Sequence, residues 1–166
     1  MAIFRPLEII ERFDKLDIDK YRSMGYDTIL LDIDNTIAVP DTELTASKEA
    51  KAFIKKLKDS GFRVLIYSNN VLERVKPYAD SAGCEYVYFA LKPLPFVYWS
   101  TMIKLKLDRH KVISLGDQLV TDGLGCNIVG IGFIYTKQLV EKDAFITSIN
   151  RHTERFIFKY ILHEKV

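Results

Sequence analysis

The chain has 166 residues, 48% of them hydrophobic and 12% aromatic, enough to bury a full core as one domain and too apolar for a disordered segment. Its 24 Lys and Arg against 22 Asp and Glu leave a formal charge of +2, with no electrostatic case for nucleic acid. Cys84 and Cys126 stand outside any CxxC spacing, no run approaches the roughly 20 apolar residues of a membrane span, and the start lacks the apolar core of a secretory signal. The expectation is a soluble, cytoplasmic protein whose two cysteines are small core residues.

After a partly helical N-terminal segment, strands are expected at Thr28–Asp32, Arg63–Ser68, Glu85–Ala90, Lys111–Leu115 and Ile128–Tyr135. Helical patterns separate them. From Ala46 to Ser60, the spacing of Ala50, Phe53, Ile54 and Leu57 predicts a one-faced helix stopped at Gly61. The next helix should begin near Arg74, so that Pro77 falls in its first turn, and end at Gly83, with Val75, Tyr78, Ala79 and Ala82 toward the sheet. Phe96, Trp99, Ile103 and Leu107 mark a third helix after Pro93-Leu94-Pro95, and a fourth follows Asp122. A last helix over about 143–164 carries Phe145, Ile149, Phe156 and Tyr160 beside Arg151, Arg155 and Lys159. Packing on the core is its default use, and a membrane-surface role is the alternative. Strand–helix alternation of this kind predicts an α/β fold: a three-layer, Rossmann-like parallel sheet of about five strands, in one domain over 1–166.

Such sheets bind ligands at the carboxyl ends of their strands, and the chain's polar punctuation falls there. Asp32 and Asp34 end the first strand two residues apart, so the alternation of a strand aims both carboxylates into one pocket. Two acids so placed repel unless a cation lies between them or one stays protonated. Ser68-Asn69-Asn70 ends the second strand, Lys92-Pro93 follows the third, and Gly116-Asp117-Gln118-Leu119-Val120-Thr121-Asp122 follows the fourth. Each stretch alone reads as a turn, a helix cap or a solvated charge. Their joint order is what points to chemistry.

That order, Asp-x-Asp-x-Thr, Ser, Lys-Pro, Gly-Asp-x-x-x-x-Asp, resembles the four motifs of the haloacid dehalogenase (HAD) superfamily of phosphohydrolases. Together with Phe4-Arg5-Pro6, Arg74-Val75 and Asn150-Arg151, it looks like the subclass IIIA branch called YqeG, related to phosphatidylglycerophosphate phosphatases. The resemblance implies that Asp32 attacks phosphorus to form an aspartyl phosphate while Asp34 protonates the leaving group and then activates water. It implies Mg²⁺ held by Asp32, the Asp34 backbone carbonyl and Asp117, with Asp122 as a ligand or outer partner. Ser68, Asn69 and the backbone amides after Asp32, Ile33 first, would hold phosphoryl oxygens, and Lys92 would balance their charge.

The short intervals Thr36–Ser68 and Asn70–Lys92 leave little room for a cap domain, so an exposed site is expected. The partner is then a phosphate ester: phosphatidylglycerophosphate by resemblance, with a lipid headgroup met peripherally at a membrane, or a soluble sugar or nucleotide phosphate. The alternative function is a non-catalytic scaffold that binds a phosphorylated ligand on the same fold. A receiver domain is disfavoured because Lys92 precedes Asp117. Gly123-x-Gly125 and Gly130-x-Gly132 lack the third glycine of a dinucleotide loop and read as close-packing positions. His110, His152 and His163 show no ligand spacing, and Lys104, Lys106, Arg109 and Lys111 read as a solvated face at the far end of the sheet. Oligomeric state stays open.

Overall fold

Apolar runs without polar alternation, such as Thr28–Leu31, force a sheet buried on both faces. The computed structural model describes residues 4–40 and 44–140. It contains six parallel strands: β1 (Glu8–Ile10), β2 (Thr28–Leu31), β3 (Arg63–Tyr67), β4 (Glu85–Val87), β5 (Val112–Gly116) and β6 (Gly132–Thr136). Their order across the sheet is β1-β6-β5-β2-β3-β4. The α/β expectation holds, and β1 adds a sixth strand from the segment read as partly helical. That segment also supplies α1 (Ile18–Ser23).

The remaining helices are α2 (Lys48–Asp59), α3 (Leu72–Ala82), α4 (Pro95–Leu105) and α5 (Leu124–Val129). Alternate strand residues enter two separate cores: Ile29, Leu31, Val64 and Ile66 pack beneath α1, α2 and α3, while Leu30, Leu65 and Tyr67 pack beneath α4 and α5. From β2 the chain winds outward through β3 and β4, then returns through α4 to β5 on the other side of β2. This places a switch point between β2 and β5, whose carboxyl ends lie side by side.

Three local expectations need correction. Helix α3 starts at Leu72, so Pro77 lies inside it, past the first turn. Strand β4 stops at Val87 because Phe89 (φ 48°) and Leu91 (φ 50°) turn into the left-handed region. Strand β6 starts at Gly132, since Ile128 and Val129 finish α5 and Gly130 (φ 78°) ends it. In α4 the core face is Tyr98, Thr101 and Met102, whereas Phe96, Trp99 and Ile103 point outward. A helix apolar all round does not reveal from sequence which face is inside. The expected helix at 143–164, with Arg151, His152 and His163, lies outside the described residues.

Among the described residues, Thr36 to Ser68 form only α2 and β3 as helix and strand, and Asn70 to Lys92 only α3 and β4. No cap covers the carboxyl edge there. Nor is any described helix long and apolar enough to cross a membrane. Cys84 and Cys126 are both free, the second fully buried.

Gly125 is a close-packing position: a Cβ there would lie 2.6 Å from Tyr98 Cε2 and 2.9 Å from the Pro93 carbonyl oxygen. Gly125→Ala is therefore expected to lower stability by about 1–3 kcal/mol, read as a lower urea midpoint. An unchanged midpoint would mean that α5 steps freely away from α4.

Candidate active site

The end of β2 delivers Asp32, whose amide is still paired with the Leu115 carbonyl of β5 at 3.1 Å. The chain then bends sharply, with Asn35 left-handed (φ 61°) and the Ile33 carbonyl accepting from Thr36, Ile37 and Ala38. The end of β5 delivers Asp117, and a π-helical turn, Leu119–Gly123, brings Asp122 back over it. Gly116 lets this happen, because a Cβ there would overlap the Asp122 carboxylate.

Oxygens of Asp32, Asp117 and Asp122 lie within 4.8 Å of one another. Lys92 Nζ donates to Asp32 Oδ1 at 2.7 Å and to Asp122 Oδ1 at 2.6 Å, with its side chain only 5% exposed. Burial works against the ammonium charge, but Asp122 and Asp32 more than reverse this and hold Lys92 above its ordinary range. Burial raises the Asp32 pKa to about 6, Lys92 opposes the rise, and Asp122 adds to it. Three carboxylates facing one ammonium leave two negative charges in excess, all on hard oxygen donors. That donor set suits a divalent cation of the oxygen-seeking class.

The second carboxylate of the pair is held differently. Asp34 Oδ1 accepts from Arg74 Nη2 at 2.6 Å, and Oδ2 accepts from Asn70 Nδ2 at 2.5 Å. Burial raises its pKa, Arg74 opposes that, and Asp32 contributes to the rise. The two acids thus feel each other's charge yet keep separate partners. Asp32 and Asp34 side chains are 12% and 24% exposed, while Asp122 is 2% exposed. A ligand reaches the first pair before the buried groups behind them.

The other expected residues fall into place around this frame. Ser68 is buried at the end of β3, its Oγ accepting from the Asn70 amide at 3.2 Å. Asn69 was expected on phosphate, but its amide spans the backbone of Lys92, donating to the carbonyl at 3.0 Å and accepting from the N–H at 2.7 Å. It thereby positions Lys92. Ile33 sends its side chain into the core, while its backbone N–H supports the Asp32 carboxylate. Of the residues expected to hold a metal, Asp32, Asp117 and Asp122 lie together as a carboxylate cluster that could take an ion; Asp34, expected to contribute its backbone carbonyl, adds no carboxylate to it.

Sequence reasoning assigned no role to Arg74, Asn70 or Gln138. Arg74 is legible as part of the Arg74-Val75 resemblance and as a cation following Ser68-Asn69-Asn70 near the start of a helix, with no role attached. Thr36 Oγ1 and Gln138 Nε2 each donate to Asp117 at 3.2 Å, and nothing in the local sequence of Gln138 signals this.

No family model matches the chain. "Probable phosphatase YqeG" of Bacillus subtilis (strain 168) is 30% identical over 154 residues, covering 93% of this chain and 89% of that protein. Among solved structures, the cobalt-bound deoxy-D-mannose-octulosonate 8-phosphate phosphatase of Haemophilus influenzae matches with a TM-score of 0.53 at 12% identity, over 81% of this chain and 88% of that one. A haloacid dehalogenase-like family hydrolase from Brucella suis 1330 matches with a TM-score of 0.50 at 12% identity, over 75% and 88%.

Protons compete with a divalent ion for Asp32. Since its pKa is raised to about 6, the ionised form dominates only above that value. Mn²⁺ affinity measured by calorimetry is expected to fall about tenfold between roughly pH 7.5 and pH 5 on this account alone. Affinity constant across that interval would separate Asp32 from the ion.

Proposed function

The chain belongs to the family of the Bacillus subtilis probable phosphatase YqeG, within the haloacid dehalogenase superfamily, and from that membership we propose that it hydrolyses phosphate monoesters through an aspartyl phosphate on Asp32, using Mg²⁺. The observation that carries this reading is Asp32 at a strand end, 2.7 Å from the Lys92 ammonium and within 4.8 Å of Asp117 and Asp122 oxygens. Asp32, Asp117 and Asp122 would hold the ion, with the Asp34 carbonyl as a further oxygen; when bound, it draws charge from the phosphoryl oxygens.

Asp32 attacks phosphorus in line, forming the Oδ–P bond as the ester P–O bond breaks. Asp34 gives its proton to the departing alkoxide; burial raises its pKa and Arg74 opposes that rise. Water then attacks the acyl phosphate while Asp34 takes its proton, releasing phosphate and restoring Asp32. Arg74 and Asn70 keep Asp34 aimed through both halves, and Lys92 with Ser68 offsets charge on the transferring group.

The substrate we favour is phosphatidylglycerophosphate, met peripherally at a membrane surface. Two features support it: a carboxyl edge that carries no cap among the described residues and so admits a large ester, and the resemblance of the sequence motifs to subclass IIIA. A soluble sugar or nucleotide phosphate is the competing substrate.

Asp32→Asn is expected to lower Mg²⁺-dependent turnover by about 10³-fold or more with the unfolding midpoint retained. Full activity in this variant, or metal-independent activity, overturns the mechanism. A panel placing phosphatidylglycerophosphate in mixed micelles beside soluble esters reads the substrate, and equal rates on all remove the lipid assignment. Arg74→Ala removes the cation that opposes the Asp34 rise, so the Asp34 limb of the pH–rate profile should move to higher pH, with kcat lower by roughly tenfold or more. An unmoved profile would reduce Arg74 to a structural brace.

A further inference from the structure

Seven of the twelve large hydrophobic side chains exposed among the described residues fall within residues 88–103. Phe96, Trp99 and Ile103, at i, i+3 and i+7 of α4, form one outward stripe and are 55%, 48% and 79% exposed. Phe89 and Leu91 stand out from the preceding loop in left-handed backbone, a conformation that costs a bulky residue energy and is kept where the surroundings enforce it. Here the Phe89 amide is tied to the Asn70 carbonyl at 2.9 Å and the Ala90 amide to the Ser68 carbonyl at 3.0 Å. The same loop turns Lys92 inward to Asp32. The apolar surface therefore begins one residue from the active site.

Its charge is one-sided. From Tyr86 to Leu107 there is no Asp or Glu, and the exposed charges are Lys104 and Lys106 at the far end of α4. Large apolar and aromatic side chains with Lys104 and Lys106 at the end of the same helix complement an anionic lipid surface, into which rings insert while lysines meet headgroups. We infer that the loop 88–94 and the outer face of α4 dock on an anionic bilayer and bring the open site to headgroup level. This rests on the reading of the site as a phosphatase for a lipid-borne ester.

Trp99 is the chain's single tryptophan, so its fluorescence reports on this face alone. With the full chain, vesicles of phosphatidylglycerol mixed with phosphatidylcholine should shift Trp99 emission to the blue and allow quenching by brominated acyl chains. Phosphatidylcholine vesicles should bind about tenfold more weakly or less. Phe96→Ser with Ile103→Ser should weaken vesicle binding by about tenfold or more, leaving hydrolysis of a soluble monoester and the unfolding midpoint unchanged. Three results overturn the proposal: Trp99 emission indifferent to anionic vesicles, vesicle binding intact in the double variant, or a blue shift that follows protein concentration without lipid, which would assign the face to a second copy. Vesicle binding by the unaltered chain without any hydrolysis of a soluble monoester would strike the phosphatase reading instead.

Discussion

Three buried or half-buried carboxylates share one space at the ends of β2 and β5, and the Lys92 ammonium between two of them makes this tolerable. An isolated buried charge is strongly unfavourable, whereas a paired one survives if its remaining hydrogen-bonding capacity is used. Asn69 therefore matters although it touches no carboxylate: by gripping both backbone polar atoms of Lys92 it fixes where the ammonium points. The pairing is incomplete by design of the residues themselves. One ammonium cannot neutralise three carboxylates, and the shortfall is an electrostatic demand that a divalent ion would answer.

The site's two cations divide their work by depth. Lys92 lies inside and faces the metal-competent group, while Arg74, near the start of α3, reaches Asp34 at the more open rim. This keeps the two neighbouring acids distinct. Asp32 is tied to the inner lysine, and Asp34 is fixed by an arginine and an amide that leave the pair as a whole nearer neutrality. Acid–base work and nucleophilic attack require such separation, since two equivalent carboxylates in contact would share one proton between them.

Much of this was legible in the chain. Apolar runs ending in Asp32, Ser68 and Gly116 marked strand ends, and parallel topology then brought those ends to one edge. Asp32, Lys92, Asp117 and Asp122 converge for that reason. What stayed hidden depended on direction more than position. The i, i+2 rule aimed Asp34 beside Asp32, but the chain leaves the strand after Leu31 and turns at Asn35, so the carboxylate finds Arg74 instead. In α4, both Tyr98-Met102 and Phe96-Trp99-Ile103 satisfy helical spacing, and only packing against Leu30, Leu65 and Tyr67 decides between them. Gln138 reaches Asp117 from beyond β6, a contact set by the tertiary path alone.

The segment from Tyr88 to Leu94 ties these observations together. It must deliver Lys92 into a buried ion cluster while anchored to Ser68 and Asn70 at its start and closed by the turn from Leu91 to Leu94. A backbone so pinned on its inner side has few ways to dispose of its other side chains, and left-handed Phe89 and Leu91 are thrown outward. The apolar rim and the buried lysine are thus placed by one short stretch of backbone.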